Sequence, residues 1–375
     1  MSQWTRYLTR AIDAVDTGTD RVRYRLNDRF GTDQLIAFPY LTYGRADRIW
    51  IMGRVLEVNN IQPARDDASL WENLTNAYRR FESDEVPHAR VRVCFDQTDL
   101  ELEADDEGYF EAWLPVRPSL PVGHAYVQTA KVELLAPIRG DVPAVQATAS
   151  IVVPGSDAQF GVISDVDDTV LQTGATSLVS MAKKVLFGNA RTRLPFEGVS
   201  GFYRALHDGR NPIFYVSSSP WNLYDVLVEF FDLNDIPAGP LLLRDWGVNA
   251  KELLPTSHGS HKRDAIQQIL DTYPELLFLL IGDSGQEDPE IYADIVRRNP
   301  GRVQAIYIRD VSHDASRDNQ VQKLAGLLAA EGHSLQLVAD TVTAARHAAA
   351  QGFIAGDAVR NVAQAKAKDQ RCDRL

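Results

Sequence analysis

The sequence predicts a two-part chain: an antiparallel β-rich domain of the sandwich type, then an α/β domain built on a mainly parallel sheet. Three observations carry this. Up to about residue 153 the apolar residues recur in short runs separated by turn residues. Pro154-Gly155 then marks a boundary, after which the period changes. Beyond it, apolar runs at 160–164, 212–217, 240–244, 276–282 and 303–308 alternate with helical patterns at 199–208, 221–232, 262–272, 289–298 and 318–331. Such alternation predicts βαβ units, and βαβ units run their strands parallel. At 375 residues the chain is long enough to bury two hydrophobic cores.

In order along the chain, residues 4–15 read as a short helix. Strand-like runs follow at Leu35 to Tyr43 and Arg48 to Val58. An insertion carries Leu70, Trp71, Leu74, Ala77, Tyr78 and Phe81 at helical spacing, behind N-cap candidates in 66–69. Strands resume at Val91 to Phe95, Leu100 to Ala104, Tyr109 to Leu114, Ala125 to Leu134 and Val145 to Val153, with Asp105-Asp-Glu-Gly108 as a turn. About seven short strands at that spacing predict a sandwich. No catalytic constellation is visible in it, so residues 1–153 read as an accessory or interaction domain. The α/β domain is expected over 154–356, with Leu335 to Val338 as an edge strand and 341–351 as a helix. Residues 357–375 read as a polar, loose tail.

Charge narrows the functions. Lys plus Arg total 39 against 51 Asp plus Glu, a net charge of −12. That balance argues against a nucleic-acid partner, which selects a basic face. It also disfavours wholesale adsorption to anionic lipid. Cys94 lies in a strand-like run and Cys372 in the tail, so no structural disulfide is expected. The N-terminal stretch has no apolar signal core, and no run approaches the ~20 apolar residues of a membrane helix. A cytoplasmic protein, peripheral to membranes at most, is the expectation.

The chemistry is organised around Phe160-Gly-Val-Ile-Ser-Asp-Val-Asp-Asp-Thr169. A buried-strand run ends in Asp165, Asp167 and Asp168. In open α/β sheets ligands sit beyond the carboxyl ends of strands. Carboxylates crowded there repel one another unless a cation joins them. Taken alone, the motif also fits an acidic helix cap. Two more apolar runs end in chemistry: Ile213 to Val216 in Ser217-Ser-Ser219, and Leu276 to Ile281 in Gly282-Asp-Ser-Gly-Gln-Glu-Asp288. Between them His261-Lys262-Arg263-Asp264 opens a helical pattern.

That order of motifs resembles the haloacid dehalogenase (HAD) superfamily. Longer stretches give a narrower likeness: Ser217-Ser-Ser-Pro-Trp-Asn-Leu-Tyr224, Leu243-Arg-Asp-Trp-Gly247, Gly282 to Tyr292 and Ile306-Tyr-Ile-Arg-Asp310. Over roughly 155–350 the chain resembles the catalytic domain of the phosphatidate phosphatases related to actin-patch proteins. The resemblance implies a HAD-like, Rossmann-type sheet with a small helical cap at about 171–198. It implies a Mg²⁺-dependent hydrolase that releases phosphate from phosphatidate to give diacylglycerol.

By the same resemblance, Asp165 is the nucleophile, forms an aspartyl-phosphate and is also a metal ligand. Asp167 is the general acid and then the base, with its backbone carbonyl on the metal. Asp283 is a metal ligand, and Asp288 a ligand or a partner of one. Ser217, or Ser218, binds the phosphoryl oxygens, Lys262 supplies a point charge, and Thr169 braces the loop. Within the cap, Lys183, Lys184, Arg191 and Arg193 form a basic group with no acid between them. They read either as a solvated face or as a surface for anionic head groups. Alternatives are a soluble phosphomonoester as substrate, a receiver-type phosphoacceptor, and a scaffold with a degenerate domain. The receiver needs neither Asp167 nor the Asp283/Asp288 pair, and every catalytic position is filled.

Overall fold

The computed structural model describes Trp4 and residues 34–58, 86–121, 123–137, 146–170, 196–244, 258–312 and 314–372. The helical insertion expected around Leu70 to Phe81, most of the expected cap and its four basic residues lie outside the described residues. The chain divides into two compact units, 1–156 with 225–232, and 157–224 with 233–375.

The first unit contains β1 (Gln34–Pro39), β2 (Thr42–Arg45), β3 (Arg48–Val58), β4 (Arg90–Phe95), β5 (Thr98–Glu103), β6 (Tyr109–Pro115), β7 (Val127–Ala136) and β8 (Gln146–Val152). Seven of them run β1-β3-β2-β8-β7-β4-β5, and β6 pairs with β3. The run read as one strand from Leu35 to Tyr43 is therefore two. The β1–β3 ladder ends at Pro39 opposite Gly53, and proline has no N–H to carry a ladder further. β2 then turns back on β3 through a two-residue connection, with Arg45 opposite Arg48. One pairing departs from the antiparallel expectation: β2 and β8 are parallel, with Thr42 opposite Ile151. A single apolar core gathers residues from β1, β3 and β6 and from β4, β7 and β8, including Ile51, Phe110, Val132 and Ile151. Of the helix expected at 4–15 only Trp4 is described; it is helical and buried, its ring 5.6 Å from that of Phe231.

The second unit has the expected parallel sheet. Its strands are β9 (Gly161–Asp165), β10 (Ile213–Pro220), β11 (Leu241–Arg244), β12 (Phe278–Asp283), β13 (Val303–Arg309) and β14 (Leu335–Val338). Their order is β11-β10-β9-β12-β13-β14, every pair parallel. From β9 the chain steps outward through β10 to β11; from β12 it steps the other way through β13 to β14. The order reverses between β9 and β12, and α/β sheets bind ligands outside such a switch point. β9 and β12 are buried along their whole length, as central parallel strands are.

The helices are α1 (Val199–His207), α2 (Tyr224–Leu233), α3 (His258–Thr272), α4 (Asp288–Arg298), α5 (Ala315–Ala330), α6 (Thr341–Ala350) and α7 (Ala358–Cys372). Six of them pack in two groups, α1 with α6 and α7, and α3 with α4 and α5, while most of α2 belongs to the first unit. Right-handed crossovers running in opposite directions along a sheet put their helices on opposite faces. The segment expected to be a loose tail is thus largely α7. It packs on α1 and α6, buries Val362, and Asp369 accepts the Gly198 N–H at 2.8 Å. Its one buried apolar anchor and its long-range polar contacts are invisible to a composition reading.

Candidate active site

Two neighbouring strands deliver the acids. Asp165 is the last residue of β9, Asp283 the last of β12, and both are buried. Asp288 opens α4 five residues on, followed by Pro289 in the first helical turn. The return from β12 to Asp288 is tight at Gly282. A Cβ there would meet Asp288 Cβ at 2.8 Å and Cγ at 2.9 Å, so only glycine lets the helix start approach the strand end. One oxygen from each of Asp165, Asp283 and Asp288 lies within 4.8 Å of the others.

Lys262, in the first turns of α3, enters the same cluster. Its Nζ lies 2.8 Å from Asp165 Oδ1 and also bonds Asp288 Oδ1. Asp288 Oδ2 accepts the Asp283 N–H at 3.2 Å. Asp283 Oδ1 accepts the N–H groups of Gly285 at 2.7 Å and Gln286 at 3.0 Å. What is left over is specific: Asp165 Oδ2 and Asp283 Oδ2 are buried with no hydrogen-bond partner.

Burial is the main force on the protonation of this group. It pushes the Asp165 carboxyl well above the usual range, with Lys262 opposing and Asp288 adding to the rise. Asp283 is pushed up to about 7 by burial and then by the charge of Asp288. Burial would lower Lys262, but Asp165 and Asp288 outweigh it and hold the ammonium charged. Three buried carboxylates against one ammonium leave uncompensated negative charge. An all-oxygen donor set with two unpartnered oxygens suits a hard divalent cation. The residues present therefore fit a bound divalent ion.

Asp167 stands beside this group. Val166 turns the chain out of β9, and Asp168 adopts the left-handed conformation, φ 53°. The Ser217 hydroxyl donates to Asp167 Oδ2 at 3.0 Å and accepts the Ser219 N–H at 3.0 Å. The Ser219 hydroxyl is 3.5 Å from the same carboxylate oxygen. Burial raises Asp167 to about 6, against the hydrogen bond from Ser217. The Asp167 carboxylate is not one of the three that converge; the sequence expectation concerned its backbone carbonyl as well. Thr169, expected to brace the loop, is buried with its hydroxyl unbonded. The loop is held instead by the Val170 N–H on the Val166 carbonyl at 3.0 Å.

So Asp165, Lys262, Asp283 and Asp288 come together, with Asp167 and Ser217 alongside. Ser219 is not among the residues the motif singles out, although strand alternation puts it on the same face as Ser217 and could have found it.

Fold and site together define an α/β protein with a charged, cation-suited centre at the switch point of a parallel sheet. Residues 160–310 match the family described as phosphatidate phosphatase APP1, catalytic domain. The chain is 34% identical over 197 residues to phosphatidate phosphatase APP1 of Saccharomyces cerevisiae, covering 50% of this chain and 33% of that protein. It is 32% identical over 162 residues to an uncharacterized protein of Schizosaccharomyces pombe, covering 41% and 26%. The matches thus span about a third or less of these relatives. Among solved structures, a HAD family hydrolase from Deinococcus radiodurans R1 with bound phosphate and sodium aligns at 15% identity and TM-score 0.32, over 53% of this chain and 99% of that one. Among the described residues no helix is long and apolar enough to cross a membrane.

Proposed function

We propose that this chain is a divalent-metal-dependent phosphatase of HAD-like layout, that Mg²⁺ is its cofactor, and that phosphatidate is its substrate and diacylglycerol its product. The observation that carries the reading is the buried Asp165–Lys262–Asp288–Asp283 cluster with two unpartnered carboxylate oxygens. Buried charge left unbalanced costs several kcal/mol and persists where function requires it. Asp165, Asp283 and Asp288 would hold the ion, with the Asp167 backbone carbonyl as a further ligand. When bound, the ion supplies charge neutralisation for both the carboxylates and an incoming phosphate dianion.

The chain's own residues do the rest. Asp165 attacks phosphorus through an oxygen kept in place by Lys262, and an aspartyl-phosphate forms as the ester oxygen leaves. Asp167, pushed up to about 6, gives its proton to that departing oxygen. Ionised, it then takes a proton from the water that cleaves the acyl-phosphate and frees Asp165. The Ser217 hydroxyl, 3.0 Å from Asp167, would serve a phosphoryl oxygen by turning its single proton away from Asp167. Lys262 remains charged throughout and steadies negative charge on Asp165 and the phosphate.

The phosphatidate assignment rests on the family match, and membrane contact on sequence alone. Lys183, Lys184, Arg191 and Arg193 would let an acidic chain meet an anionic surface. The first unit we read as a sandwich-like accessory domain, with no protein partner assigned. The net charge of −12 supports a second reading, the same chemistry on a soluble phosphomonoester. Phosphate release from phosphatidate, lysophosphatidate, diacylglycerol pyrophosphate and sugar phosphates, with and without Mg²⁺, separates the two. Release from sugar phosphates alone would remove the lipid assignment; full release in excess chelator would remove the metal.

A further inference from the structure

Arg317 lies in the first turn of α5, far in sequence from the acids, and no motif includes it. Its Nε donates to the Ser284 carbonyl at 2.7 Å and its Nη2 to the Gln286 carbonyl at 2.6 Å. The rest of the fork closes on Glu290, with Nη1 2.5 Å from Oε1 and Nη2 2.9 Å from Oε2. These contacts reach across 27 to 33 residues. The Arg317 side chain is 19% exposed, so ordering it costs conformational entropy that a merely solvated arginine would not lose.

The two carbonyls it holds belong to the segment joining Asp283 to Asp288. A peptide unit is planar, with its oxygen and its N–H at opposite ends. The Ser284 carbonyl and the Gly285 N–H are the two ends of one such unit. Arg317 grips the oxygen end, and Asp283 Oδ1 accepts from the N–H end at 2.7 Å. With Oδ1 occupied by the loop, Asp283 Oδ2 is the oxygen left without a partner beside Asp165 and Asp288. The same loop is fixed from its other side, where the Ser284 hydroxyl accepts the Val311 N–H at 3.0 Å and the Ser284 N–H donates to the Arg309 carbonyl at 2.8 Å.

We propose that Arg317 is a positioning residue for the cation centre: by orienting the Ser284–Gly285 peptide it fixes which oxygen of Asp283 faces the ion. This rests on the reading of the cluster as a cation site. Arg317 makes no hydrogen bond to Asp283; it holds the loop that does. A lysine offers a point charge without the planar fork, so it can reach one carbonyl but cannot hold both together with Glu290.

The test uses the whole chain, stripped of metal, with Arg317→Met, Arg317→Lys and Glu290→Gln beside the unaltered protein. Two quantities are read: Mn²⁺ affinity by titration, and amide hydrogen exchange over 284–287. Arg317→Met should weaken Mn²⁺ binding ~10-fold or more, the range found when groups behind metal ligands are removed. It should speed exchange at Gly285 and Gln286 without changing β12. Arg317→Lys should fall between, and Glu290→Gln, which leaves both carbonyl contacts, should do least. Unchanged affinity and unchanged exchange in Arg317→Met would overturn the proposal, whatever happens to its melting temperature. If Arg317→Met does not fold, the ranking of Arg317→Lys against Glu290→Gln decides. Should the unaltered chain bind no Mn²⁺, the cation reading falls, and the exchange rates alone then decide whether Arg317 orients this loop.

Discussion

The two units solve the same packing problem with different interiors. The first unit buries Ile49, Ile51, Phe110, Val132 and Ile151, and its buried polar residues among those described are Thr42, Arg54 and Ser150. Arg54 is accommodated in an ordinary way, over the Tyr109 ring at 4.5 Å and donating to the Glu107 carbonyl at 2.9 Å. The second unit is as apolar between its layers, yet at one end of its sheet it buries Asp165, Asp283, Asp288 and Lys262 together. A fold needs no such group; an apolar substitute would cost less. The first interior is explained by stability; the second is the cluster on which the proposed cation site rests.

The contrast can be broken at several points. Replacing Asp167 by Asn should slow natural alkoxide esters by about 10²–10⁴, the usual worth of general acid catalysis, and a substrate with a good leaving group far less. Steady-state rates on both substrate types check this; equal losses would make Asp167 a structural residue. Neutralising Lys183, Lys184, Arg191 and Arg193 should weaken action on anionic vesicles by up to about 4 kcal/mol at low salt, at about 1 kcal/mol per residue. A short soluble phosphoester should be unaffected, and the loss should shrink as salt rises. Vesicle and soluble assays across a salt series would reveal a purely solvated face as no loss on either.

On the other side of the contrast, Ile51→Ala in the first unit should lower stability by about 2–5 kcal/mol, the cost of a core cavity. Turnover per folded molecule should stay at its unaltered value, read by urea denaturation beside active-site titration. A further effect is expected on stability against pH. Without metal, Asp283 sits at about 7 and Asp167 at about 6, above the ~4 of an unfolded aspartate. Between those values the folded chain holds more protons than the unfolded one, so stability falls as pH rises through that window. The fall should be about 4 kcal/mol between pH 5 and 7.5 in chelator, and Mg²⁺ should remove it. A flat profile in chelator would mean the carboxylates are not strained by burial.

Much of the second unit was legible because its chemistry sits where apolar runs stop. Asp165 and Asp283 end buried strands, and that junction is a pattern in one dimension. Lys262 was legible through motif order, not through its own surroundings. Ser219 shares the strand face of Ser217 but lies outside the motif that names the phosphate-binding serine, and Arg317 has its partners 27 to 33 residues away. The break between β1 and β2 was overlooked although Pro39 announces it. The stretch that forms α7 reads as a loose tail because it is polar. Its order comes from distant partners: Lys366 to Asp340 at 2.8 Å, Asp369 to the Gly198 N–H, and Gln370 to Glu197 at 2.7 Å.

The most direct measurement of the central claim is phosphate release from phosphatidate by the unaltered chain and by Asp165→Asn, each with Mg²⁺ and with excess chelator. Release by the unaltered chain with Mg²⁺, and none in the other three arms while the variant keeps its fold, is the outcome expected of a metal-dependent hydrolase working through Asp165. Full release by Asp165→Asn, or by the unaltered chain in chelator, would contradict it.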